Sequence, residues 1–68
     1  MERYAVFGYE TYYPDGGMND FMYHSNEYKD CLIFIEKERI YSKIPKDTYE
    51  IWDMQIMKRV YAETHLQI

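Results

Sequence analysis

"SNEYKDCLIFIEKE", Ser25 to Glu38, decides the fold. Its centre, Cys31 to Ile35, is a continuous apolar run that taken alone suits a buried strand as well as a helix. The flanks separate the two. Ser25 and Asn26 are N-cap residue types, whose side-chain oxygens accept the free amides of a first helical turn, and Glu27 adds negative charge beside the positive helix end. Tyr28, Cys31, Leu32 and Ile35 then recur at helical spacing, while Lys29, Asp30, Glu36 and Lys37 take the polar side. Ile33 and Phe34 widen the apolar arc. A strand through the run leaves the cap signal without a purpose. The spacing therefore predicts a helix from Asn26 to Glu38, with "RIYSKIPKD" as its fraying end and connector, and Pro45 stopping any continuation.

On either side of that helix the pattern changes to β. "RYAVFGYETYY", Arg3 to Tyr13, is rich in aromatic and β-branched residues, with Ala5, Phe7 and Tyr9 on one face and Tyr4, Val6 and Gly8 on the other. Gly8 inside a strand marks a bulge or a close backbone approach under a neighbouring ring. "PDGG" ends the strand: Pro14 presets a turn dihedral, Asp15 bonds its own backbone, and Gly16 or Gly17 can take φ > 0. A short strand follows from Asp20 to His24. After the helix, Thr48–Asp53 and Met57–Ala62 read as a hairpin around a turn near Asp53 to Ile56. The expectation is one α+β domain over residues 1–68, β-β-α-β-β, with a small antiparallel sheet and one helix packed on it.

Composition narrows the function. A chain of 68 residues has room for one core and buries only about 60% of its unfolded surface, so its stability margin is thin. Cys31 is alone, which rules out an internal disulfide, and no Cys/His cluster has zinc-ligand spacing. Nine Tyr, three Phe and one Trp supply the bulk instead, more rings than so small a core can hide. "MERYAVFGYE" lacks the basic flank and apolar core of a signal peptide, and "CLIFI" is too short to span a membrane, so a reducing cytoplasm is expected. Twelve Asp/Glu against eight Lys/Arg give a net charge of −4. That balance argues against direct nucleic-acid binding, which needs cations to replace phosphate counterions.

The most distinctive stretch is "FGYETYYPDGGMNDF", Phe7 to Phe21. Its glycine pair lacks the Gly-Lys-Ser/Thr that opens a phosphate-binding helix, so turn geometry accounts for it. Glu10, Asp15 and Asp20 lack the alternating spacing of a calcium loop, so no metal or other cofactor is expected. A catalytic nucleophile needs a positioned base; Cys31 sits at an apolar helix position far from His24 and His65, and no catalytic residue is assigned. What remains is a surface: Tyr9, Tyr12 and Tyr13 before the turn, Asp15, Met18 and Asp20 in and after it, then Phe21 and Tyr23. Tyr and Met are favoured in interface cores, and these eight residues are the expected partner-binding set.

"Y-A-V-F-G-Y-E-T-Y-Y-P-D-G-G-M-N-D-F" also resembles the N-terminal signature of a family of very small proteins encoded by tailed phages. There a strand Y-x-V-F-G runs into Y-Y-P-x-G-G-x-x-D, a helix follows, and the chain closes on a segment like Y-x-I-x-D. Tyr4, Val6, Phe7, Gly8, Tyr12, Tyr13, Pro14, Gly16, Gly17 and Asp20 match the first part, and Tyr49, Ile51 and Asp53 the second. The resemblance implies a phage accessory protein acting in the host bacterial cytoplasm. Joined to the surplus of rings, it suggests a non-catalytic factor that docks on a bacterial host protein, for host takeover or anti-defence. Two alternatives stay open: an acidic mimic of DNA that occupies a nucleic-acid-binding protein, and a module that sequesters a small nucleotide on its tyrosines. Homodimerisation is left open as well.

Overall fold

In the computed structural model, which describes residues 2–10 and 20–64, four strands and one helix follow the expected order. They are β1 (Tyr4–Tyr9), β2 (Phe21–Ser25), α1 (Tyr28–Tyr41), β3 (Thr48–Asp53) and β4 (Lys58–Thr64). The strands form one sheet in the order β2-β1-β3-β4, with every neighbouring pair antiparallel. α1 lies across β1 and β2 on one face. "CLIFI" is helix, as expected, although the cap signal that favoured helix is not used as a cap.

The alternation along β1 sorts the molecule into two sides. Val6 is fully buried in a cluster with Cys31 and Ile35 of α1 and Tyr49 and Ile51 of β3. Tyr4, Met22, Tyr23, Tyr28, Leu32, Phe34 and Tyr61 pack around that cluster. Rings do much of the filling: Tyr4 meets Tyr28 edge-on at 5.6 Å, and Tyr23 stacks on Phe34 at 4.6 Å. Each fully buried aliphatic side chain contributes about 1.5–3 kcal/mol, so a handful must carry this small domain. The strand pairing shifts once on each side of the sheet. Val6 pairs with Tyr23 and Phe7 with Phe21, leaving Met22 as the extra residue of a bulge. Ile51 pairs with Tyr61 and Trp52 with Arg59, leaving Val60 extra and exposed.

The boundaries differ from expectation for identifiable reasons. Neither Ser25 nor Asn26 caps the helix. Glu27 holds the N-cap position with extended backbone and no side-chain cap bond. Ser25 ends β2, where its Oγ accepts the Glu27 amide at 3.0 Å and donates to Asp30 Oδ2 at 3.2 Å. Asn26 Oδ1 accepts the Arg3 amide at 3.0 Å. These side chains fold the strand-to-helix junction and tie it to the start of β1. At the other end α1 runs past Glu38 to Tyr41, closed by a bond from the Ser42 amide to the Glu38 carbonyl at 3.1 Å. Nothing in Arg39-Ile40-Tyr41 breaks a helix, and Arg39 Nε reaches Glu63 Oε1 on β4 at 3.5 Å. β3 has the expected limits, β2 starts one residue later, and β4 runs from Lys58 to Thr64 rather than from Met57 to Ala62. β1 runs from Tyr4 to Tyr9 rather than from Arg3, and Glu10 is already outside it; the expected continuation through residues 11–13, and the "PDGG" turn, lie outside the described residues.

The β3–β4 turn stores some strain. Met57 has φ 54°, a left-handed conformation at a residue that is not glycine, and such a residue costs about 1 kcal/mol or more. The residue is 64% exposed, so little packing is lost on removal of its side chain. Met57→Gly is therefore expected to raise the melting temperature by about 2–6 °C, read by circular dichroism. A lower melting temperature would mean that the turn is not strained.

Candidate functional site on the uncovered sheet face

Helix α1 covers the side of the sheet that holds Val6, Tyr49 and Ile51. Among the described residues no element packs on the other side. Register places Phe7 between Phe21 of β2 and Glu50 of β3, and Ala5 between His24 and Trp52. Phe7 meets Phe21 edge-on at 5.9 Å, and Phe21 stacks on His24 at 5.8 Å. Ala5, small and central, is buried at 0% exposure. The face is thus an aromatic layer spread over three strands.

A single carboxylate organises its β3 side. Glu50 Oε1 accepts the indole N–H of Trp52 at 3.0 Å. Its Oε2 accepts the Tyr9 hydroxyl at 2.9 Å and Arg59 Nη1 at 3.0 Å. The Glu50 side chain is only 12% exposed, whereas Arg59 is more than half exposed. Burial opposes ionisation of Glu50, but the bonds from Trp52, Tyr9 and Arg59 outweigh it and hold its pKa below the ordinary value. Burial and the bond to Glu50 push the Tyr9 phenol upward, so it stays a donor. Three donors from three strands converge on one acceptor, and charge-assisted bonds of this kind are the stronger ones. These bonds fix the rings of Tyr9 and Trp52 against Glu50.

A second carboxylate acts at the edge of the opposite side. Arg3 grips Asp53 with Nε at 3.2 and 3.1 Å and Nη2 at 2.9 Å, and the Gln55 amide donates to Asp53 Oδ1 at 3.0 Å. The Arg3 fork, against the opposing effect of burial, lowers the Asp53 pKa. For both carboxylates the folded pKa lies below the unfolded one, so their stabilisation is complete above the unfolded value, about 4. It is lost as pH falls through the depressed folded values. The urea midpoint is expected to be level from neutral pH to about 5 and to fall steadily below about 4. Asp53→Asn should flatten part of that fall. An acid limb unchanged in Asp53→Asn would refute the assignment.

The expected partner-binding residues divide. Tyr9 and Phe21 stand on the uncovered face. Tyr23 stands on the helix side, stacked on Phe34, and Asp20 is nearly buried at 8% exposure before β2. Tyr12, Tyr13, Asp15 and Met18 lie outside the described residues. Sequence reading missed Phe7, Glu50, Trp52 and Arg59. The period-two signal was present for Glu50 and Trp52 in "TYEIWD", but it does not tell which side the helix leaves open. Cys31 is the small buried hydrophobe expected of it; burial, with Asp30 and Glu2 adding, pushes its thiol to about 11, so it is protonated at neutral pH. Among the described residues no group of three His, Cys, Asp or Glu could hold a metal ion, and no helix is long and apolar enough to cross a membrane.

A four-stranded antiparallel sheet, helix-backed on one side and aromatic on the other, defines a small α+β protein of β-β-α-β-β order. Residues 4–63, from the first residue of β1 to the second-to-last residue of β4, match the family described as Bacteriophage T4 protein Y07C. The chain belongs to that phage protein family. No curated protein and no solved structure matches it.

Proposed function

We propose that this phage protein is a non-catalytic accessory factor that docks on a bacterial host protein through its uncovered sheet face and blocks or redirects it, in host takeover or anti-defence. It would act in the host cytoplasm. The observation that carries the reading is the set of Phe7, Tyr9, Phe21 and Trp52, with Tyr9 and Trp52 locked on Glu50. Aromatic residues and Arg dominate the energetics of interfaces. Side chains already fixed lose little freedom on binding, which favours affinity.

The DNA-mimic alternative has less support. Asp53, Glu63 and Glu50 are ion-paired with Arg3, Arg39 and Arg59 of the same chain, and Asp20 is nearly buried. Those carboxylates are not free to imitate phosphates.

The test is a pull-down from bacterial lysate, with mass spectrometry of the captured proteins and of any small molecule the pure protein retains. One protein partner at near-equal stoichiometry is expected. Trp52→Ala should weaken its capture about fivefold or more, since a buried interface anchor typically contributes above about 1 kcal/mol. Arg59→Ala, at an exposed position, should weaken it less. A folded Trp52→Ala that captures the same partner undiminished would sink the reading. A retained nucleotide would favour the sequestering module, and a captured protein released by duplex DNA would favour the mimic.

A further inference from the structure

The two edges of the sheet are guarded differently. β4 carries Lys58, Arg59 and Glu63, charges of the kind that discourage strand addition. β2 reads Phe-Met-Tyr-His-Ser, without an Asp, Glu, Lys or Arg, and its outer side meets no described strand. Beside β2 a groove of about 370 Å³ is lined by Tyr23, Asp30, Ile33, Phe34 and Lys37. Ile33 is 40% exposed there, and Lys37 forms no ion pair among the described residues.

We infer that this edge and groove form the interface of a homodimer, in which β2 pairs antiparallel with β2 of a second copy and the two α1 helices pack side by side. A two-fold interface must be complementary to itself, and these residues are. Tyr23 is the middle residue of β2, and it stacks on Phe34, which lies between Asp30 and Lys37 on α1. Asp30 stands at the Ser25 end of the strand, bonded to Ser25 Oγ at 3.2 Å. A two-fold axis through Tyr23 sets the Ser25 end of one strand against the Phe21 end of the other. It therefore sets Asp30 against the partner's Lys37, and Lys37 against the partner's Asp30.

The spacing agrees. Paired strands lie about 4.8 Å apart, so a helix seated over β1 and β2 is roughly 5 Å from the axis and about 10 Å from its mate. Helices pack at about 8–10 Å. Ile33 and Phe34 then fill the groove of the other copy, and the sheet continues across the axis. The aromatic face proposed for docking lies on the opposite side of the sheet. It is left free and doubled, so failure of either proposal leaves the other standing.

Sedimentation equilibrium on the full chain, from micromolar to millimolar concentration, is expected to show a species of twice the 8.4 kDa chain mass. Lys37→Asp places two carboxylates together at each of two symmetric positions, and is expected to weaken association about tenfold or more. Asp30→Lys should do the same, and the double variant Asp30→Lys/Lys37→Asp should restore it. A role confined to one chain's own stability would not give that restoration. Hydrogen exchange should show the Phe21–Ser25 amides slowing as concentration rises. A monomer throughout the range, a double variant no tighter than the singles, or β2 amides indifferent to concentration would each overturn the proposal.

Discussion

Tyr49→Ala is expected to leave the protein largely unfolded at room temperature. Tyr49 heads the fully buried side chains, at 0% exposure, and lies in the cluster with Val6, Cys31, Ile35 and Ile51. It also has a polar duty: its hydroxyl accepts the Lys46 amide at 2.9 Å, holding the connector between α1 and β3 against the core. Truncating a buried aromatic ring to Ala costs about 3–5 kcal/mol. The amide left without its acceptor adds roughly 1 kcal/mol. A domain of this length has a total stability of about 3–10 kcal/mol, and its small core places it toward the lower end. The loss is therefore comparable to the whole. Tyr49→Phe separates the two contributions, because it keeps the ring and removes only the hydroxyl; about 1 kcal/mol is expected. Urea denaturation followed by circular dichroism reads both. A Tyr49→Ala protein melting within a few degrees of the parent would show that the core is organised around other residues.

Gly8→Val is expected to be the next most damaging, for the opposite reason. Gly8 is a β1 residue with side chains packed close over its Cα. A Cβ built there would stand 2.5 Å from Met22 Sδ, 3.1 Å from Lys46 Cγ and 3.2 Å from Tyr49 Cδ1. Met22 and Lys46 are flexible and can swing aside, but the Tyr49 ring is enclosed and cannot. Overpacking a core typically costs about 1–3 kcal/mol, and Val adds two further carbons beyond the clashing Cβ. Gly8→Ala should cost less than Gly8→Val. Met22→Ala in the Gly8→Ala background should recover part of that loss, because the closest clash is with the Met22 sulfur, and contacting residues are not additive. Thermal melts of the three variants test this. A Gly8→Val protein as stable as the parent would mean that the backbone of β1 does not lie under Tyr49.

These two residues also mark how far a linear reading reaches. Local chemistry alone read the chain as α+β and "CLIFI" as helical, the latter partly on a cap signal the structure does not bear out, and it left Gly8 as either a bulge or a close backbone approach. It determined the two faces of β1 as well, and the limits of β3. Each of these rests on interactions within a few residues: helical spacing, strand alternation, and a glycine whose missing side chain implies a neighbour. The cap reading shows where such inference ends. Ser25 and Asn26 are cap residue types, yet their oxygens serve the Glu27 amide and the Arg3 amide, and only the return of β1 beside β2 brings Arg3 within reach. The tertiary structure alone decided which sheet face α1 covers, and so which aromatic rings are core and which are surface. Tyr23 and Phe21 are two residues apart in β2, but the Met22 bulge turns Tyr23 toward Phe34 and Phe21 toward Phe7. The convergence of Tyr9, Trp52 and Arg59 on Glu50 joins β1, β3 and β4 through a register that strand pairing sets. Alternation says that side chains share a face, whereas only the placement of the helix on the folded sheet says whether that face meets the core or the solvent.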